Sequence, residues 1–362
     1  MTTPRRRLVR AAAVLLPLSL ALAACGGDGD AADDANTINI VGFAVPEIAN
    51  KAIADEFTST PEGEGVEFNT SYGASGDQSR AVAEGLEADY VHLSVATDVA
   101  RLVDAGLVDE AWDEGENKGI VSTSIVVLGV REGNPLDIQG WDDLVEPGVG
   151  IVTANPASSG AARWNALAAW GHITENGGTE EEATEFVDQI FANVVSLTNS
   201  GRDATTSFLQ GNGDVLLAYE NEAILANQQG EGFDYVIPET TVLIENPGAI
   251  LEDASEPSQA WLDFVLSEEG QRQFALTGFR PLNLDEPGTA DLAAVGLEAS
   301  DIEGAADPED PFPAVQNLLT LDGNFGGGDW SGIADVLFGT GEDGQSLGIV
   351  TEAIAKSGKA TE

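Results

Sequence analysis

Apolar positions along the chain fall into two patterns, short continuous runs and longer stretches with helical spacing. Thr37-Ile-Asn-Ile-Val-Gly-Phe43, Val66 to Tyr72, Asp89-Tyr-Val-His-Leu-Ser-Val95, Gly150-Ile-Val-Thr-Ala154 and Gly213-Asp-Val-Leu-Leu-Ala-Tyr219 read as buried strands. Between them, helices are predicted over Pro46 to Phe57 and from about Ala96 to Ala105. A third opens at the capping box Thr179-Glu-Glu-Glu182 and carries Phe186, Val187, Ile190, Phe191 and Val194 on one face. Strands alternating with helices at this spacing give an α/β fold with parallel sheet. Two apolar runs are longer, Gly119 to Arg131 and Thr241 to Leu251, and suit strands that cross from one lobe to another and back. Trp141 to Val145 reads as a short helix, and Ser258 to Leu266 and Ser267 to Leu276 as two more, the second capped by Ser267. After a Gly/Asp-rich stretch, Asp329 to Phe338 and Gln345 to Ala355 are helical again. No repeat with a period of about 20–50 residues is visible.

One kind of junction recurs. Asn155-Pro-Ala-Ser-Ser-Gly-Ala-Ala-Arg-Trp164 ends a strand and starts a helix with small residues and hydroxyls. Asn155-Pro156 stops the strand, because the residue before proline is pushed out of helical space. Ser158 or Ser159 is a natural cap, and Gly160 and Ala161 leave the first turn open. The first N–H groups of a helix have no internal partner and carry the positive end of its dipole, so such a start is a neutral socket for an anion. Similar entries occur at Val41-Gly-Phe-Ala-Val-Pro46, Ala74-Ser-Gly76 and Ser200-Gly201. In an open α/β sheet these turns gather at the carboxyl ends of the strands, where ligands bind. A pocket of donors without acceptors favours sulfate over phosphate. Phosphate carries a proton near neutral pH, and an unpaired buried group costs about 1–3 kcal/mol.

The ends and the charge add the setting. Residues 1–25 read as an export leader, with Arg5, Arg6, Arg7 and Arg10 ahead of an apolar run too short to span a membrane. The run closes on Leu22-Ala-Ala-Cys25, which resembles a lipobox, and Cys25 is the sole cysteine, so it is expected to carry a lipid and no disulfide can form within the chain. Residues 26–36, rich in Gly, Ala and Asp, suit a flexible tether. The formal net charge is −47, with lysine only at Lys51, Lys118, Lys356 and Lys359. Such a surface excludes nucleic acid and acidic membranes as partners, and fits a saline habitat in which self-repulsion is screened.

Catalytic chemistry finds little support. His92 lies inside an apolar strand and His172 at a helix end, and no His/Cys cluster offers a metal site. Gly73-Ala-Ser75-Gly76 is not the Gly-x-Ser-x-Gly of a nucleophile elbow, and no phosphate-binding Gly-rich loop ending in Lys is present. No catalytic residue, cofactor or metal is expected.

Ala74-Ser-Gly76 with Gln78 and Arg80-Ala-Val82, the Asn155 to Trp164 block, Gly213-Asp-Val215 with Glu220-Asn-Glu-Ala223, Phe279-Arg-Pro281 and the terminal Gly326-Gly-Gly-Asp-Trp330 together resemble the sulfate/thiosulfate-binding proteins of ABC importers. The likeness runs from about residue 37 to the C-terminus. It implies a type II periplasmic-binding-protein fold, two α/β lobes joined by two crossover strands with a dehydrated anion in the cleft. Lobe I would comprise 37–124 and 245–285, lobe II 125–244, and 286–362 would form helical segments packed on the lobes. Residue by residue, the resemblance implies hydroxyl donors at Ser75 and Ser159 and N–H donors at Ala44, Gly160, Ala161 and Gly201. Tyr219 stands where the family has a tryptophan, its hydroxyl in place of an indole N–H, and Phe43-Ala-Val-Pro-Glu47 leaves the first loop only a backbone role. Asp77 and Asp203 depart from the family's lysine and glycine. Ser75 with Gln78 also fits a capping box, Arg163 an internal ion pair or scaffold residue, and Trp164 and Trp170 the core. The expected function is capture of sulfate or thiosulfate by an exported, lipid-anchored monomer that delivers it to a permease and ATPase. Another oxyanion such as molybdate or phosphate is the alternative ligand, and a secreted enzyme on sulfated or phosphorylated compounds the alternative class.

Overall fold

The computed structural model describes residues 36–325, 330–341 and 346–359. The leader, Cys25, the tether up to residue 35 and residues 326–329 of the terminal motif lie outside the described residues. The chain begins with three strand-helix units: β1 (Thr37–Phe43) and α1 (Glu47–Phe57), β2 (Glu67–Gly73) and α2 (Ser75–Ala83), β3 (Tyr90–His92) and α3 (Ala96–Asp104). The long strand β4 (Ile120–Val130) then leads to β5 (Ile151–Ala154), α4 (Gly160–Thr174), α5 (Glu180–Asn193), β6 (Val194–Thr198), α6 (Gly201–Leu209), β7 (Val215–Tyr219), α7 (Glu220–Gln228) and β8 (Asp234–Val236). A second long strand, β9 (Thr240–Ile250), is followed by α8 (Ser258–Leu266), α9 (Glu268–Leu276), β10 (Asn317–Leu319), α10 (Leu321–Asn324), α11 (Ser331–Phe338) and α12 (Ile349–Ser357).

The strands run in the order β2-β1-β3-β9-β4-β7-β5-β6, with β10 on β9 and β8 on β4. Within each half the neighbours are parallel: β1 with β2 and β3, and β5 with β6 and β7. The two long strands join the halves. β9 pairs with β3 through Tyr90↔Ile250 and with β4 through Ile125↔Leu243, while β4 continues onto β7 through Val126↔Tyr219, all antiparallel. The two long strands thus link the halves of the sheet, β9 lying on β3 at one end and on β4 at the other, and β4 running on to β7.

Burial follows the sequence pattern. In α4 every residue from Gly160 to Gly171 is buried except Arg163, which is what a helix with no polar face must do. The first lobe packs Phe57, Phe68 and Tyr90 edge-on around Trp261 of α8. His92 is fully buried between Asn50 and Ser122, and burial pulls its imidazole down to about 3, so it is a neutral structural residue. Glu245 lies on β9 opposite Thr123 of β4; burial, then the Asp322 carboxylate, push its carboxyl up to about 7.

Several boundaries differ from expectation. Val194 starts β6 rather than ending α5, because the Asn193 side chain donates to the carbonyls of Leu144 and Glu146 and the next residue turns extended. Pro46 caps α1 instead of opening it. The third strand stops at His92, where Leu93 N–H donates to Pro247 O. β10 has no counterpart in the predicted elements.

Candidate functional site: a seam of helix N-termini

Because the strands are parallel within each half, the helices that follow them start on one edge. α2, α4, α6 and α7 and the loop Ala44-Val45 meet there, from both lobes. The lobes touch along this seam. Gly76 N–H donates to Ser158 O at 2.8 Å, and Trp164 Nε1 to Ser94 O at 2.8 Å. Arg202 Nη2 reaches Val45 O at 3.1 Å, and Asn199 Nδ2 reaches Asp77 Oδ2 at 2.9 Å. Gly160 must be glycine: a Cβ there would stand 2.6 Å from Ser94 Cβ. A Cβ on Gly201 would stand 3.1 Å from Ala161 Cβ and 3.3 Å from Val45 Cγ2, so Ala161, Gly201 and the first loop are neighbours.

The expected ligands divide into free and committed groups. Ser159 caps α4 with only a long 3.4 Å bond from Ala162 N–H, and among the described residues its proton has no acceptor. The N–H groups of Gly160, Ala161 and Gly201, at the first turns of α4 and α6, likewise have no protein acceptor among the described residues. These four groups form a donor set without a carboxylate.

Ala44, Ser75 and Tyr219 are arranged differently. Ala44 N–H donates to Gly73 O at 2.8 Å, tying the first loop to the end of β2, so it is not a free donor here. The next N–H, of Val45, has no acceptor among the described residues. Ser75 is not the α2 cap; Ala74 is, and Gln78 accepts instead from Ser71 Oγ. The Ser75 hydroxyl gives its proton to Asp98 Oδ2 at 2.6 Å and accepts from Ser94 N–H at 2.9 Å. Tyr219 Oη lies 2.7 Å from Ser94 Oγ and accepts from Asn246 Nδ2 at 3.3 Å. Burial pushes its phenol up, so it stays protonated.

Ser94 is the residue that sequence reasoning missed. Its N–H, hydroxyl and carbonyl are all engaged, the carbonyl by both Trp164 and Asn246. The one signal for it was a serine at the carboxyl end of an otherwise apolar strand.

The two buried carboxylates near the seam, Asp98 and Glu222, are closed off. Asp98 gives one oxygen to Ser75 and the other to Arg101 at 3.0 Å. Glu222 holds Arg202 bidentately at 2.7 and 3.0 Å and also accepts from Thr205. Asp203 bonds its own cap, Ser200, and Asp77 pairs with Arg80. Of the two internal roles expected of Arg163, it takes the scaffold one: it donates to Pro156 O and Thr97 Oγ1 and has no carboxylate in reach among the described residues. Trp164 and Trp170 are core, as expected.

Residues 38–280 match the model of the family described as bacterial extracellular solute-binding protein. A sulfate-binding protein of Synechococcus elongatus is 39% identical over 93% of this chain and 95% of its own length. The sulfate-binding protein of Escherichia coli is 37% identical over 73% of this chain and 78% of its own. Among solved structures, the sulfate-binding protein SubI from Mycobacterium tuberculosis superposes with a TM-score of 0.74 at 39% identity, covering 84% of this chain and 99% of that one. The chain belongs to the bacterial extracellular solute-binding proteins and, within them, to the sulfate-binding group.

Proposed function

We propose that the protein captures sulfate in the seam between the lobes and hands it to an ABC permease and its ATPase, without chemistry of its own. One observation carries this reading: among the described residues Ser159 O–H and the Gly160, Ala161 and Gly201 N–H groups are free donors, while the buried carboxylates Asp98 and Glu222 have both oxygens taken. A dianion that only accepts hydrogen bonds matches such a set, and a protonated phosphate does not. The positive ends of α4 and α6 supply the electrostatic attraction without a formal charge. In this reading Val45 N–H replaces Ala44 as the first loop's donor. Tyr219 and Ser75 act at one remove, by fixing Ser94. The first lobe is assigned residues 37–124 and 245–285 and the second 125–244, a division that the shared pairing of β4 and β9 supports. Anchoring through a lipid on Cys25 would hold a monomer at the outer face of the membrane, its only membrane contact. Calorimetry with sulfate, thiosulfate, molybdate and phosphate tests the proposal. Sulfate or thiosulfate is expected to bind at one site per chain and phosphate far more weakly; phosphate binding as tightly as sulfate would sink it.

A further inference from the structure

A cavity of about 450 Å³ is lined by the Asn155-Pro156-Ala157 turn and by none of the four donor residues. Its lining joins α2 and α3 of the first lobe, the start of α4 of the second, and the C-terminal helices. Of the fifteen Lys and Arg residues, four in the leader aside, Arg80, Arg101, Arg163 and Lys359 all face this one space in a chain of net charge −47. Phe338 and Ile354 supply an apolar wall. A volume of this size is in the range that holds a small organic ligand.

The cationic charge there is only partly matched. Asp77 pairs with Arg80 and Asp98 with Arg101, but Arg163 has no acid within ion-pair reach among the described residues, and Lys359 Nζ donates to the carbonyls of Phe191 and Ala192 at 3.3 and 3.2 Å. Arg163 spends Nε on Pro156 O at 3.0 Å and Nη1 on Thr97 Oγ1 at 3.2 Å. Its Nη2 has no acceptor among the described residues, and its guanidinium carbon stands 5.6 Å from the centre of the Phe338 ring. Burial pulls this guanidinium down, and the charges of Arg101 and Arg80 act in the same direction against Asp98. An anion would relieve that repulsion. The acidic exterior makes the concentration of cations here the reverse of what chance placement gives.

We propose that this cavity is a second anion site, taking a small organic oxyanion (a sulfonate, sulfate ester or carboxylate on a short hydrocarbon or aryl body). The head sits against Arg163, with Arg80 and Arg101 beside it, and the body lies on Phe338 and Ile354. Charge-assisted bonds to guanidinium supply the affinity, and the apolar wall separates this ligand from an inorganic ion. Because both lobes contribute, an occupant favours the closed arrangement and is thermodynamically coupled to whatever the seam binds.

Benzenesulfonate titrated into the purified protein, with and without saturating sulfate, tests this. One equivalent is expected to bind in the presence of sulfate. Arg163→Gln and Ala355→Trp, the latter filling the cavity from the exposed side of α12, should each weaken it about tenfold or more, as loss of one charge-assisted bond or of the space requires. The sulfate stoichiometry should not change. Displacement of bound sulfate one for one would place the probe in the seam and overturn the proposal. So would absence of binding at millimolar probe, unchanged affinity in both variants, or inorganic sulfate binding in the cavity as tightly as the sulfonate. Should Arg163→Gln fail to fold, Ala355→Trp decides alone.

Discussion

Ser75 and Ser159 look interchangeable as letters in a chain, each a serine before a glycine at a helix start, yet their protons go to different places. Ser75 binds Asp98 and holds Ser94 N–H, so removing its hydroxyl strands a buried carboxylate oxygen. The Ser159 proton has no acceptor among the described residues, and its cap bond is long. Ser159→Ala is therefore expected to lose about tenfold in sulfate affinity, from one lost hydrogen bond of about 1–2 kcal/mol, while the thermal midpoint hardly moves. Calorimetry and a melting curve on the same sample check it, and unchanged affinity would leave Ser159 a cap alone. Sequence could put Ser159, Gly160 and Ala161 at a helix start because the capping pattern is local to that stretch. It could not place Ser94, whose partners Ser75, Trp164, Tyr219 and Asn246 are distant in the chain and meet only after both sheets form. Ala44 misled for a related reason: a backbone N–H is claimed by whichever carbonyl folding brings near, here Gly73.

At the level of elements, the two crossover strands carry the consequence. Glu245 on β9 holds its proton well above the ordinary carboxylate value of 4.5, at about 7. A raised acid contributes stability that is fully present below the unfolded value and is lost as pH rises through the folded one. Stability is thus expected to fall between about pH 4.5 and 7 on this account. Glu245→Gln, which cannot ionise, should melt higher than the wild type at pH 8 and show no such gain at pH 4; equal melting at both pH values would refute the assignment. These strands were legible because an eleven-residue apolar run is too long for one half of the sheet. β6 was not: Val194 continues the apolar spacing of α5, and only the Asn193 side chain, bonded to Leu144 and Glu146, fixes the change to extended backbone. Strand β10 lies in a Gly/Asp-rich stretch whose partner, β9, is far upstream, so no local pattern announces it.

Across the whole molecule, an anion must approach a body of net charge −47 before it meets neutral donors. Raising salt from about 10 to 150 mM shortens the screening length from about 30 to 8 Å. The association rate for sulfate is expected to rise severalfold over that range, measured by stopped flow with chloride as the added salt. A flat or falling rate would mean that the local field of the helix ends outweighs the global charge. The hydrogen bond from Trp164 to Ser94 O has a further consequence. This indole joins the two lobes and lies edge-on to Trp330 with ring centroids 4.7 Å apart. Separating the lobes must break the bond and wet the ring, so the molecule carries an optical gauge of its own hinge. Its tryptophan emission should be blue-shifted with the lobes together and move red as they part, with no dye attached, and substitution of Trp164 by Phe should abolish that change.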